Sequence, residues 1–213
     1  SATLLGDTLY VLGGYRNGIP SCSMFSFCLS NYSGGWTEVF FPGKPRVQPV
    51  CASLFGNLYI WGGFIPGKES SVLTDGLCYQ PASGQWQVLR APLTTEGQPL
   101  TLTGGASVSY GDTLVICAGG VNRDIFEDTI SGRYKKVCES EYLLQPVEWY
   151  HFNDQLLAYD VRLGEWIRIG TPSPMLARAG ASLVLFGEAL FYIGGELKPG
   201  VRTSDICRIS FQE

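Results

Sequence analysis

The chain is predicted to be an all-β repeat protein on three observations: a Gly-Gly pair closes an apolar run four times, a tight-turn signal precedes each run, and an aromatic–glycine–tryptophan hairpin recurs between them. The first unit has a turn at Gly6-Asp7, the run LYVLGG from Leu9 to Gly14, and a loose second hairpin, FCLSNYSGGW, from Phe27 to Trp36. The second begins with CASLF from Cys51, turns at Gly56-Asn57, continues as LYIWGG to Gly63, and closes with YQPASGQW from Tyr79 to Trp86. The third begins with GASVSY from Gly105, turns at Gly111-Asp112, continues as LVICAGG to Gly120, and repeats the second hairpin as YDVRLGEW from Tyr159 to Trp166. The fourth has GASLVLF from Gly180, a turn at Gly187-Glu188 and LFYIGG to Gly195, followed by a single strand over Ile206–Phe211.

Four strands per unit at a spacing of tens of residues, with Gly-Gly and Trp at recurring offsets, is the pattern of a β-propeller blade, and the whole chain resembles the kelch superfamily. The expected blades cover about residues 1–41, 47–90, 104–169 and an incomplete 178–213, within one propeller region, 1–213. The third blade carries an insertion over 121–153. Each Gly-Gly is expected at the end of a second strand, and Trp36, Trp86 and Trp166 are expected between blades. The chain opens directly on a first strand with no visible signal peptide, and a closed propeller needs four to eight complete blades. The expectation is therefore a part of a larger, six-bladed propeller, completed by further blades or by a second chain.

Composition narrows the function classes. The 213 residues are 45% hydrophobic, enough for one sizeable core, and 27 glycines with 12 prolines mark abundant turns, while no stretch shows sustained helical periodicity. No apolar run is long enough to span a bilayer. A net charge of −4 without any cluster of lysine and arginine argues against nucleic acid as a partner. The seven cysteines fit no zinc spacing and read as buried thiols rather than as a disulfide framework. The single histidine, His151, cannot build a histidine-based metal site or a copper centre, so no metal and no cofactor is expected, and it reads as a loop or edge residue.

In a propeller the loops after second strands gather at one mouth of the central channel, where a ligand site is expected. These loops are 15–20, 64–70, 121–153 and 196–203. The third is far longer than its counterparts and reads as a lid or pocket wall. The fourth, GGELKPGVRT, sets Glu196, Lys198 and Arg202 around a Pro199-Gly200 turn that folds the segment back on itself. A carboxylate and a guanidinium so placed can act as proton acceptor and anion clamp; a surface ion pair that steadies a loop is the other reading of the same spacing.

The run GGELKPGVRTSDI, preceded by GGVNRDIF at the head of the insertion, resembles the corresponding segments of bacterial N-acetylneuraminate epimerases, the sialic acid mutarotases, including their cyclically permuted group. The resemblance implies interconversion of the α and β anomers of a sugar acid, N-acetylneuraminate, by ring opening and closure without metal or covalent intermediate. It implies Glu196 as proton acceptor and Arg202 as its substrate-anchoring partner; Asn122 and Arg123, after the third Gly-Gly pair, and Lys198, in the Glu196 loop, are further substrate-binding candidates by position, and the general acid is not assigned. It also implies a periplasmic location, whereas seven thiols point to a reducing compartment. Two readings compete: an interaction module that binds a protein on its loop face, and a catalytically silent glycan-binding propeller that keeps Arg202 alone.

Overall fold

The computed structural model describes residues 1–67 and 69–211. Among these the main chain folds into four successive antiparallel sheets, the blades of a propeller arc. The first blade has β1 (Ala2–Leu5), β2 (Thr8–Leu12), a small hairpin of β3 (Tyr15–Arg16) and β4 (Ile19–Pro20), then β5 (Met24–Cys28) and β6 (Trp36–Val39), with sheet order β1-β2-β5-β6. The second repeats the plan with β7 (Val50–Leu54), β8 (Asn57–Trp61), the hairpin β9 (Phe64–Ile65) and β10 (Ser71–Val72), β11 (Gly76–Gln80) and β12 (Gln85–Leu89). The third has β13 (Ala106–Tyr110), β14 (Leu114–Ala118), the helices α1 (Arg123–Ile130) and α2 (Glu139–Tyr142), β15 (Leu156–Asp160) and β16 (Glu165–Ile169). The fourth has β17 (Ser182–Phe186), β18 (Ala189–Ile193), the hairpin β19 (Glu196–Lys198) and β20 (Val201–Arg202), and a third sheet strand, β21 (Ile206–Ser210).

Strand alternation explains why the second strands read as unbroken apolar runs. Leu58 and Ile60 of β8 pack on the first blade with Leu12 and Met24, whereas Tyr59 and Trp61 of the same strand pack on the third. In β14, Val115 and Cys117 face the second blade while Ile116 and Ala118 face the fourth, beside Leu190 and Tyr192. A strand buried on both faces has no polar side to show. The innermost strands are also stitched by serine hydroxyls, Ser107 Oγ to the Cys51 carbonyl at 2.9 Å and Ser109 Oγ to the Ser53 carbonyl at 2.5 Å.

All four Gly-Gly pairs fall directly after a second strand, as the repeat requires. The first glycine of a pair admits the backbone of the following blade. A Cβ on Gly13 would sit 2.3 Å from the Arg46 carbonyl oxygen, and one on Gly119 would sit 2.3 Å from that of Arg178 and 2.1 Å from Tyr192 Oη. The second glycines donate to those same carbonyls, Gly14 to Arg46 at 2.9 Å and Gly120 to Arg178 at 2.8 Å. Each arginine is itself buried. Arg46 grips both oxygens of Asp75 at 3.1 and 2.8 Å and the Gly62 carbonyl at 3.0 Å, and Arg178 grips the carbonyls of Gly194 and Asp205, each at 3.0 Å. A buried guanidinium bound to carbonyls of its own blade, on a residue whose backbone carbonyl accepts from the preceding blade, fixes the blade-to-blade geometry, and loss of a partner would leave an uncompensated charge.

Three expectations need correction or completion. Trp166 lies between the second and third blades, 5.0 Å from the Trp61 ring, and Trp86 meets Phe41 at 5.2 Å, but Trp36 packs on Phe27 of its own blade and is 53% exposed. No blade precedes it within the chain. The insertion holds a true helix that shows no long periodicity because α1 spans only eight residues; Asn122 caps it by accepting from the Ile125 amide at 3.1 Å. Cys78 and Cys117 are buried thiols, as read from the sequence, but Cys22 and Cys138 are exposed.

Two outcomes follow from this packing. Gly119→Ala should destabilise the fold by about 3 kcal/mol or more, because the new methyl meets both a backbone carbonyl and a phenol. Gly111→Ala, at a turn with φ 56° and open space around it, should cost only about 1 kcal/mol; urea unfolding of the two proteins measures the difference. Burial pushes the Cys78 thiol up from 9.0 to about 11 and moves that of Cys117 further in the same direction. Both thiols should therefore resist a disulfide reagent at pH 8 until the protein unfolds, while Cys22 and Cys138 react at once. Unfolded chains lose these protons first, so stability should fall as pH rises above 9 through 11.

Candidate functional site

The residue after each Gly-Gly pair begins the loop at the channel mouth: Tyr15, Phe64, Val121 and Glu196. Phe64, Val121 and Glu196 are held by the loop that enters their own sheet, Val121 by its amide to the Thr103 carbonyl at 2.9 Å. Phe64 exchanges two backbone hydrogen bonds with Val47, both 2.9 Å, and Glu196 does the same with Ala179, at 2.7 and 3.0 Å. Glu196 thus occupies, in the fourth blade, the position filled by apolar or aromatic side chains in the others, and its Cα is fixed by a two-bond bridge. That is a rigid mount for a single carboxylate.

Strands β19 and β20 fold back at Pro199-Gly200 and set Glu196 opposite Arg202. Arg202 Nε donates to Glu196 Oε1 at 3.2 Å; the arginine side chain is 82% exposed and the glutamate 33%. A pair this open contributes little to stability. With only Nε engaged by Glu196, the remaining guanidinium donors are left for an anion, which a planar fork grips better than an ammonium does.

Both side chains line a cavity of about 600 Å³, the size of a small-molecule site. Its opposite wall is aromatic and comes from the insertion and the second blade: Tyr142, Tyr150 and Phe152, with Phe64 and Phe126. Helix α1 is docked by Phe126 against Phe64, ring centroids 5.0 Å apart, and by Glu127, which accepts from the Val72 amide at 3.2 Å. Tyr150 is buried and donates its hydroxyl to the Tyr142 carbonyl. Burial raises both phenols above their ordinary value, so both stay neutral. The chain returns to the blade at Asn153, whose amide and side chain bond the carbonyls of Gly120 and Gly119 at 2.9 and 3.1 Å.

The structure brings together three of the five residues named from the sequence. Glu196, Arg202 and Asn122 line the cavity, with Asn122 doubling as the α1 cap. Arg123 does not: as the first residue of α1 it is exposed and borders a separate hollow with Asp124, His151 and Asn153. Lys198 is not a cavity residue either. The bulge after Glu196 turns its side chain away, and its Nζ donates to the carbonyls of Leu143 at 3.0 Å and Gln145 at 2.6 Å. It fastens the insertion to the hairpin that carries Glu196. His151 is a loop residue with φ 44°. The insertion, which the sequence marks as a lid or pocket wall, supplies Phe126, Tyr142, Tyr150 and Phe152 to the cavity, whereas the share of Phe64 and Gln48 in it was not found from the sequence; aligning the residues ahead of each first strand would have exposed Gln48, which stands where the third and fourth blades have Gly104 and Gly180. Among the described residues no group of three or more potential metal ligands occurs, and no helix is long and apolar enough to cross a membrane.

A family model described as N-acetylneuraminate epimerase matches residues 1–213. The N-acetylneuraminate epimerase of Haemophilus influenzae (strain 86-028NP) is 32% identical over 216 residues, covering 96% of this chain and 55% of the relative. That of Yersinia enterocolitica serotype O:8 is 32% identical over 189 residues, covering 82% of this chain and 46% of the relative. The solved structure of YjhT superposes with a TM-score of 0.80 at 28% identity, covering 100% of this chain and 62% of that one. The chain spans about half the length of the curated relatives it matches.

Replacing Lys198 by Met removes the two bonds that hold the Leu143–Gln145 segment. Trypsin should then cut after the exposed Arg133, Lys135 and Lys136 several-fold faster than in the native protein, with the blades still folded. Cleavage at the native rate would leave Lys198 without this fastening role.

Proposed function

As the chain belongs to the N-acetylneuraminate epimerase family, we propose that the cavity between Glu196, Arg202 and the aromatic wall takes a sialic acid and interconverts its anomers. The observation that supports this best is the pairing of one carboxylate with one exposed guanidinium in a cavity whose other side chains are neutral and mostly aromatic or apolar. The substrate carries the matching groups: a carboxylate for Arg202, an anomeric hydroxyl for a base, and apolar ring edges for Tyr150 and Phe152.

Glu196 takes the proton of the anomeric hydroxyl as the bond from the anomeric carbon to the ring oxygen breaks, and the ring oxygen receives a proton. The products of this step are an open-chain ketone and a free hydroxyl. Rotation about the bond next to the ketone presents its other face, the hydroxyl adds back, and the protons return along the same route. Arg202 holds the carboxylate throughout, so the carbonyl carbon stays beside Glu196 while the rest of the chain turns. No electron changes hands and no covalent bond to the protein forms.

The whole protein's closure into a ring, by further blades or by a second chain, and a periplasmic location belong to the same proposal and rest on the family resemblance. The outward faces of the first and fourth sheets are apolar and open, with Leu4 at 49%, Phe186 at 77% and Ile206 at 63% exposure, as surfaces that meet further blades would be.

Proton NMR follows the two anomers directly. Glu196→Gln keeps shape and hydrogen bonding but removes the basic oxygen, and should lower the rate by about two to four powers of ten. Arg202→Lys keeps the charge without the fork and should chiefly raise KM. Acceleration by Glu196→Gln equal to that of the native protein would remove Glu196 from the reaction, and sugar binding without any acceleration would make the protein a glycan-binding propeller.

A further inference from the structure

Three loops lead into first strands by the same backbone path, and each needs one residue in the left-handed region. In the third and fourth blades that residue is glycine, Gly104 at φ 71° and Gly180 at φ 65°; in the second it is Gln48 at φ 53°. The three are joined in series, the Gly104 amide donating to the Gln48 carbonyl at 3.1 Å and the Gly180 amide to the Gly104 carbonyl at 2.7 Å. The backbone role is therefore filled by glycine twice, without strain, and by a long side chain once, at a conformation that L residues adopt at a cost. Strain of this kind persists where the side chain does something the fold alone does not need.

The Gln48 side chain is exposed within the cavity that Glu196, Arg202 and Asn122 line, and its Oε1 lies across Gly104, 3.6 Å from where a Cβ would be. On the reading of this cavity as a sugar-acid site, we propose that Gln48 is a substrate-contacting, specificity-determining residue whose amide hydrogen-bonds a neutral polar group of the sugar, a hydroxyl or the acetamido group. A neutral amide donates and accepts at once, so it suits such a group; the carboxylate belongs to Arg202, the cationic side chain of the cavity. Gln48 takes no part in the proton transfers.

Gln48→Gly tests this, because the glycine relieves the backbone and removes only the amide. In the full protein it should unfold at the native denaturant concentration or above, while KM for N-acetylneuraminate, read from the concentration dependence of anomer exchange by proton NMR, rises about five- to tenfold with kcat little changed. Gln48→Asn, which keeps an amide and tolerates the left-handed region, should recover part of the affinity. A native KM in Gln48→Gly, with native sugar binding in the parent protein, overturns this inference alone. A Gln48→Gly protein clearly less stable than its parent would show that the side chain serves the fold, and overturns it as well. If the parent protein does not bind N-acetylneuraminate at all, the inference and the reading of the cavity fall together.

Discussion

Everything in this molecule hangs on how closely one blade's backbone approaches the next. At Gly13 and Gly119 the carbonyl of a buried arginine occupies the space of a side chain, and the second glycine of each pair donates to that same oxygen. No other residue type allows both the positive φ and the contact. The approach fixes the pitch of the arc and delivers the next residue to the channel mouth. It also explains why the arginines are buried: their guanidinium groups satisfy the carbonyls that the second strands leave unpaired as they end, Gly62 for Arg46 and Gly194 for Arg178.

Much of the fold was legible because propeller signals are local. Hairpin turns, Gly-Gly pairs and doubly buried second strands each leave a mark within about ten residues, and each blade reads the same mark again. Trp36 escaped that logic, since a blade signature says where a tryptophan stands in its own sheet and nothing of whether a neighbour covers it. Helix α1 escaped it for a different reason. Its residues RDIFEDTI are held by Phe64 and Val72 of another blade, contacts that no window along the chain contains.

The site divides along the same line. Glu196 and Arg202 lie six residues apart in one hairpin, so their spacing announced their meeting. Lys198, between them, was assigned to substrate from proximity in the chain, but a bulge in β19 sends it to the insertion instead. Arg123 fell on the far side of Asn122 because a helix begins there and turns successive side chains through a wide angle. The aromatic wall joins residues as far apart in the chain as Phe64 and Tyr150, and only the closed packing of the insertion on the second blade unites them.

The tryptophan-centred contact between the second and third blades has a consequence outside stability and chemistry. Trp61 is fully buried, with Trp166 5.0 Å away at 65° and Tyr159 5.0 Å away at 64°. Indole transitions held this near and this oblique exchange excitation, so the pair gives the molecule a chiral optical signature in the near ultraviolet that belongs to one blade interface. Any change that shifts the two blades by a fraction of a ring width alters that spectrum while the backbone signal of the strands stays as it was. Nature has, in effect, installed an optical strain gauge beside the seam that carries the arc's curvature.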